Sequence, residues 1–153
     1  METNFYVNDS LSAVINPTSV SLTLDEDLNF AGNTRETKGK QVTDTPEWFV
    51  KAGLSFKYRG FEVVPMVRYV GERYGDAENT QRVGDHFLAD LRLSYTYNNL
   101  PVANAVKLSL DLYNLFDRKY VAGINASDDT RQGQASYFVG PPFTAVVKLS
   151  MDF

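Results

Sequence analysis

Three times in this chain two aromatic residues stand ten positions apart at the ends of one alternating apolar row: Trp48 and Tyr58, Phe87 and Tyr97, Phe143 and Phe153. Between Trp48 and Tyr58 the row holds Val50, Ala52, Leu54 and Phe56, while its partners include Lys51, Ser55 and Lys57. The second row carries Ala89, Leu91, Leu93 and Tyr95 against Asp90, Arg92, Ser94 and Thr96. The third carries Ala145, Val147, Leu149 and Met151 against Thr144, Lys148, Ser150 and Asp152. A period of two is the mark of a strand with one apolar face. Ten residues at roughly 3.3 Å each, tilted about 40°, rise on the order of 25 Å. That is the height of the apolar band of a membrane β-barrel, which aromatic girdles flank on both sides. A soluble sandwich also alternates, but nothing in it requires a spacing of ten.

The remaining alternation predicts strands over about 19–30, 47–58, 61–73, 86–98, 105–116 and 143–153. Glu26 falls on the apolar side of the first of these, so a bulge is expected there. Residues 1–18 are read as one short strand (Phe5, Val7) and a turn at Asn16-Pro17, and 19–153 as the main run of strands. Connections alternate in length. Tyr58-Arg59-Gly60-Phe61 and 98–104 are short, whereas 31–46, 74–85 and 117–142 are long and polar. Short turns on one side and long loops on the other are the habit of outer-membrane barrels. The fold class expected is all-β, an antiparallel meander of about six to seven strands that forms part of a transmembrane β-barrel.

Composition then removes function classes. With no Cys and a single His, His86, thiolate nucleophiles, disulfide scaffolds and multi-histidine metal centres are excluded. A nucleophile needs a base beside it, and His86 has no marked serine around it, so no enzyme is expected. The net charge of −4 argues against a nucleic-acid partner. No cofactor and no metal are expected, and Asp25-Glu26-Asp27 and Asp128-Asp129 read as solvated charge runs without the spacing of a calcium loop.

The run Leu112-Tyr113-Asn114-Leu115-Phe116-Asp117-Arg118-Lys119-Tyr120 resembles the Asn-Leu-Phe-Asp-x-x-Tyr signature of TonB-dependent outer-membrane receptors. Thr45-Pro46-Glu47-Trp48 and Tyr69-Val70-Gly71-Glu72-Arg73-Tyr74 resemble that family's strand openings and ends, and the aromatic last residue fits its final strand. Pro142-Phe143 departs from the family, where an Arg usually follows the Pro. The resemblance implies energised uptake of a scarce ligand, most often a ferric siderophore, in the outer membrane of a Gram-negative bacterium. It implies as partners the outer-membrane lipid, the insertion machinery, the remainder of the receptor with its plug, and TonB acting through that plug. No plug, TonB box or signal peptide is read in these residues, so the chain is expected to be the C-terminal quarter of such a receptor. The alternative is a small self-contained outer-membrane barrel with a structural or adhesive role; an in-frame plug upstream would separate the two.

Within that frame Asn114, Leu115, Phe116, Asp117 and Tyr120 are either ligand contacts or a strand end turning into a loop, with Asn and Asp bonding local backbone. The loop 117–142 offers Arg131, Gln132, Gln134, Tyr137 and Phe138 to an anionic, aromatic-rich ligand, or is simply solvated. His86 heads an inward row and is either a ligand contact or a polar rim residue. Lys51, Lys57, Glu62, Arg68, Asp90, Arg92 and Asp111 are inward and of both signs, as a cross-strand lattice would be. Phe153 is the assembly signal that the resemblance implies, or an anchor in the periplasmic girdle.

Overall fold

The computed structural model describes residues 3–30, 32–101, 103–127 and 134–153. Seven antiparallel strands form one sheet: β1 (Thr3–Asn8), β2 (Leu11–Ser19), β5 (Trp48–Tyr58), β6 (Phe61–Val70), β9 (His86–Leu100), β10 (Ala103–Tyr113) and β13 (Thr144–Asp152). Each pairs with the next in chain order. The numbers skip because three small hairpins sit inside the long connections: β3 (Leu28–Phe30) with β4 (Asn33–Arg35), β7 (Arg73–Tyr74) with β8 (Arg82–Val83), and β11 (Val121–Asn125) with β12 (Ser136–Val139). The all-β meander expected from the alternation is therefore the fold, and its short and long connections fall on opposite edges.

Register brings the girdle together. Tyr58 faces Phe61, which faces Tyr95, and the Phe61 and Tyr95 rings lie 4.4 Å apart. At the other edge Val50 faces Tyr69, which faces Phe87. Between these belts stand Ala52, Leu54, Val63, Pro65, Val67, Ala89, Leu91 and Leu93. This outward face stays open: Trp48 is 52% exposed, Leu149 61% and Val147 70%. An apolar surface so large and continuous is stable against lipid and not against water. Buried apolar residues are correspondingly few, chiefly Val70, Leu88 and Ala89 near the loop-bearing edge.

The tight turn after β5 has positive φ at both central residues, Arg59 (46°) and Gly60 (86°). That is a type I′ hairpin, whose twist matches the strands it joins. Gly60 is required for space as well, since a Cβ there would come within 2.6 Å of the Thr96 carbonyl oxygen. Pro65 leaves a gap in the β5–β6 ladder, which pairs Gly53 with Met66 and resumes at Phe56 with Val63. A proline has no N–H to give.

The N-terminal expectation is corrected. The sheet's first strands are β1 and β2, and 19–30 is not a wall strand. Residues 22–42 fold back on themselves: the Leu24 N–H donates to the Lys40 carbonyl, the Val42 N–H donates to the Leu22 carbonyl, and Thr23 bridges Gln41. The alternation of Leu22, Leu24 and Leu28 therefore serves a loop arm. Asp27 accepts the N–H groups of Thr37 and Lys38, each at 2.9 Å, which explains an acidic run that a membrane strand would not carry. Nor is Asn16-Pro17 a turn. Pro17 lies in β2 opposite Val50, beyond Ile15, the last β2 residue paired with β1. A strand tolerates proline where the missing N–H faces no partner strand.

Candidate functional site

Two regions carry the polar chemistry: the water-facing wall and the loops above its outer edge. On the wall, Arg92 stands opposite Asp111, and Lys148 reaches the same carboxylate at 2.6 Å. Asp111 is 2% exposed, so these two cations screen it completely. Glu62 is the second centre: Lys107 donates to it at 3.2 Å, Lys57 lies at 3.6 Å, and the Ser94 hydroxyl donates at 3.3 Å. Two anions, each held by two cations from other strands, tie β5, β6, β9, β10 and β13 across the sheet. In the row nearer the loops, Lys51 faces Arg68 directly.

The loops are stitched by a handful of side chains. Arg73 is 6% exposed; its Nη2 donates to the Val121 carbonyl at 2.6 Å, and its Nε lies 3.1 Å from Asp44 Oδ1. Asp44 in turn accepts the Ile124 N–H and gives its own N–H to the Tyr74 carbonyl. Arg73 thus joins the three long connections at one point. Asp76 accepts from the Thr80 N–H, the Thr80 hydroxyl and the Gln81 N–H at 2.7–3.0 Å. Burial pushes its carboxyl upward, but the bonds from Gln81 and Thr80 outweigh this and hold it below the ordinary carboxylate value. Asn79 exchanges two bonds with the Gln41 backbone, and Gln81 accepts from the Ala135 N–H and the Tyr137 hydroxyl.

The Asn-Leu-Phe-Asp-x-x-Tyr block closes the base of the last loop. Asn114 and Asp117 have φ of 51° and 48°, a left-handed conformation that these two residue types accept more readily than most. Asn114 is 4% exposed. Its Nδ2 donates to the Arg118 and Pro141 carbonyls, its Oδ1 accepts the Arg118 N–H, and its backbone N–H donates to Asp90 Oδ1. Asp117 accepts the Phe143 N–H at the loop's return. The Tyr120 ring lies over Gly140, where any Cβ would overlap it, and 4.8 Å from the His86 ring. Asn114 thus bonds both the nearby Arg118 and the distant Pro141, a latch that Asp117 completes at Phe143, while Phe116 is 73% exposed.

Of the residues expected to meet a ligand, His86 begins β9, Tyr137 lies in β12 and Gln134 precedes it. Arg131, Gln132, Asp128 and Asp129 lie outside the described residues. Gln134 is exposed on the last loop, and the Tyr137 hydroxyl is committed to Gln81. His86 is 6% exposed and roofed by Tyr120, so it packs under the rim. Phe153 follows β13 and is 82% exposed. Arg73 and Asp76 were not singled out from sequence as individual residues; Arg73 stands in the Gly71-Glu72-Arg73-Tyr74 run, which was the one signal available.

A family model described as TonB dependent receptor-like, beta-barrel, matches residues 6–115. The chain belongs to that family. A curated relative, the ferrichrome outer membrane transporter/phage receptor of Escherichia coli (strain K12), is 38% identical over 55 residues, covering 36% of this chain and 7% of the relative. Among solved structures, the siderophore receptor PiuA from Acinetobacter baumannii has a TM-score of 0.75 at 20% identity, over 95% of this chain and 20% of that one. The ferric yersiniabactin uptake receptor FyuA from Yersinia pestis also has a TM-score of 0.75 at 20% identity, over 99% of this chain and 22% of that one. These structures share the barrel-wall fold, and the chain spans about a fifth of their length. As a TonB-dependent receptor barrel the chain is a protein of the Gram-negative outer membrane, and its family is a transporter family, not an enzyme one.

Proposed function

We propose that this chain is wall and external loop of a receptor for TonB-dependent uptake of a ferric siderophore. The family match over residues 6–115 carries this reading, and the relatives named for ferrichrome, ferric yersiniabactin and siderophores point to the same cargo class. The two outermost strands support a larger assembly. Among the described residues β1 and β13 each pair on one side only, and unpaired backbone is costly in hydrocarbon. The remaining wall, a plug within the lumen, and TonB acting on that plug are the partners this reading requires. The last loop, whose sequence carries Arg131, Gln134 and Tyr137, would meet the ligand first, while β13 and Phe153 would be read by the insertion machinery. The test is uptake of radioactive iron as ferrichrome or ferric citrate by iron-starved cells with the gene intact, deleted, or intact in a strain lacking TonB. Uptake lost in both mutants is expected; uptake that survives loss of TonB would overturn the proposal.

A further inference from the structure

Six cations on the water-facing wall, among the described residues, divide into two groups. Lys57, Lys107, Arg92 and Lys148 each hold Glu62 or Asp111. Lys51 and Arg68 hold neither: among the described residues they make no ion pair, although they stand directly opposite each other on β5 and β6. Lys51 lies 5.0 Å over the Phe49 ring, which leaves its charge intact. Like charges in direct opposition destabilise a ladder. Their flanking neighbours in the row are Asn16 on β2 and Leu88 on β9, which bring no negative charge. The nearest carboxylate by register is Asp90, diagonal to Arg68, and its Oδ1 already accepts the Asn114 N–H at 2.8 Å. A second observation lies just below. Gly53 opens a hollow of about 200 Å³ on the same face, lined by Tyr6, Ser12, Val14, Ser55, Val64 and Met66. A Cβ at Gly53 would stand 3.3 Å from Met66 Cγ and 3.6 Å from Val14 Cγ1, so the hollow exists because that residue is glycine. Two cations that no carboxylate among the described residues engages, above a largely apolar depression, suit a ligand with anionic oxygens and a hydrocarbon or aromatic frame.

We propose that Lys51 and Arg68 form an anion subsite on the lumen wall, and that the cargo is accordingly an anionic ferric chelate (a carboxylate or catecholate complex) and not a neutral one. This rests on the siderophore-uptake reading above. The test uses the full-length receptor in detergent and measures equilibrium binding of ferric citrate and ferric enterobactin, which are anionic, and of ferrichrome, which is neutral. The wild type is expected to bind an anionic chelate more tightly than ferrichrome. Lys51→Gln with Arg68→Gln is expected to weaken that binding by at least about tenfold at low salt and less at high salt. Lys51→Arg with Arg68→Lys should retain most of it, and Gly53→Val should lower affinity without changing its salt dependence. Lys57→Gln, whose charge Glu62 already engages, controls for a general loss of lumen charge. Binding of an anionic chelate that the double Gln variant leaves unchanged, or a wild-type preference for ferrichrome, would overturn the subsite and leave siderophore uptake standing. A wild type that binds none of the three chelates would overturn both.

Discussion

The wall and the loops above it belong to one chain but are held by different physics. The wall repeats itself: alternate side chains from Trp48 to Tyr58, Phe61 to Tyr69, Phe87 to Tyr97, Val106 to Leu112 and Ala145 to Met151 are apolar and face lipid, and the ladder supplies the rest. No single residue there is indispensable to the pattern. The loops are the reverse. Asn114, Asp117 and Arg73 each satisfy backbone groups of segments far away in sequence, Asp76 closes its own turn onto Thr80 and Gln81, and no periodic pattern stands behind any of them. A periodic structure degrades gradually under substitution unless charge is placed on its apolar side. A keyed structure should fail at its keys and nowhere else.

The largest effect should come from breaking the wall's sidedness. Leu91 lies midway between the belts, opposite Pro65 on β6 and Leu112 on β10. Leu91→Arg in the full-length receptor is expected to cost about 2–4 kcal/mol, the range for a cation at the midplane of a barrel's lipid face. Ser150→Arg, on the water side of β13 opposite Lys107, should cost under about 1 kcal/mol, chiefly through repulsion by that lysine. Unfolding titrations in lipid vesicles separate the two, and equal costs would mean the faces are exchanged.

Next come the keys. Asn114→Ala removes two donors and an acceptor from a buried site and places alanine at positive φ. A loss of about 2–3 kcal/mol is expected, localised to the base of the last loop. Limited proteolysis should then cut within 114–143 at concentrations that spare the wild type; unchanged cleavage would show that the latch is redundant. Gly140→Ala should cost about 1–2 kcal/mol, because the methyl group must displace the Tyr120 ring. The displaced ring should also uncover His86, which it now roofs. Reaction of His86 with diethyl pyrocarbonate reads this directly, and a rate equal to that of the wild type would argue against the packing.

This division also explains what the sequence made legible. Strands β5, β6, β9, β10 and β13 were readable because lipid and water on opposite faces write an alternating pattern. β2 was not, since Pro17 reads as a turn and Val14 places an apolar residue on the water side. The alternation of 19–30 imitates a wall strand, but it comes from a loop arm folding on itself and not from a membrane. In the loops, the Asn114 block was visible as a motif, but its role depends on Pro141, which is 27 residues away. Arg73 shows the limit most clearly: one arginine among fifteen Lys and Arg residues carries no local mark of the Val121 carbonyl and Asp44 carboxylate it will meet. The Lys51–Arg68 opposition needed the register, which no single strand contains.

The smallest effect is a test of the keys by pH alone. Asp76, buried in the 71–85 connection, has its carboxyl held below its ordinary value of 3.8 because bonds from Gln81 and Thr80 outweigh the cost of burial. As the pH falls, the unfolded loop therefore takes up its proton first, and over the interval between the two pKa values the unfolded form binds more protons. The stability that Asp76 contributes is thus fully present above its ordinary value and is lost as the pH falls through its lower folded value. The 71–85 loop of the wild type should stay closed at neutral pH and open on acidification below about pH 4, the ordinary aspartate range, while the wall's ladders persist. Asp76→Asn keeps one acceptor oxygen and the shape but has no proton to gain. It should give a loop that is somewhat looser at neutral pH and indifferent to acid. Hydrogen exchange of the Thr80 and Gln81 amides, compared in the two proteins at pH 7 and below about pH 4, measures the difference. Identical pH dependence in wild type and variant would show that another group governs the opening of this loop.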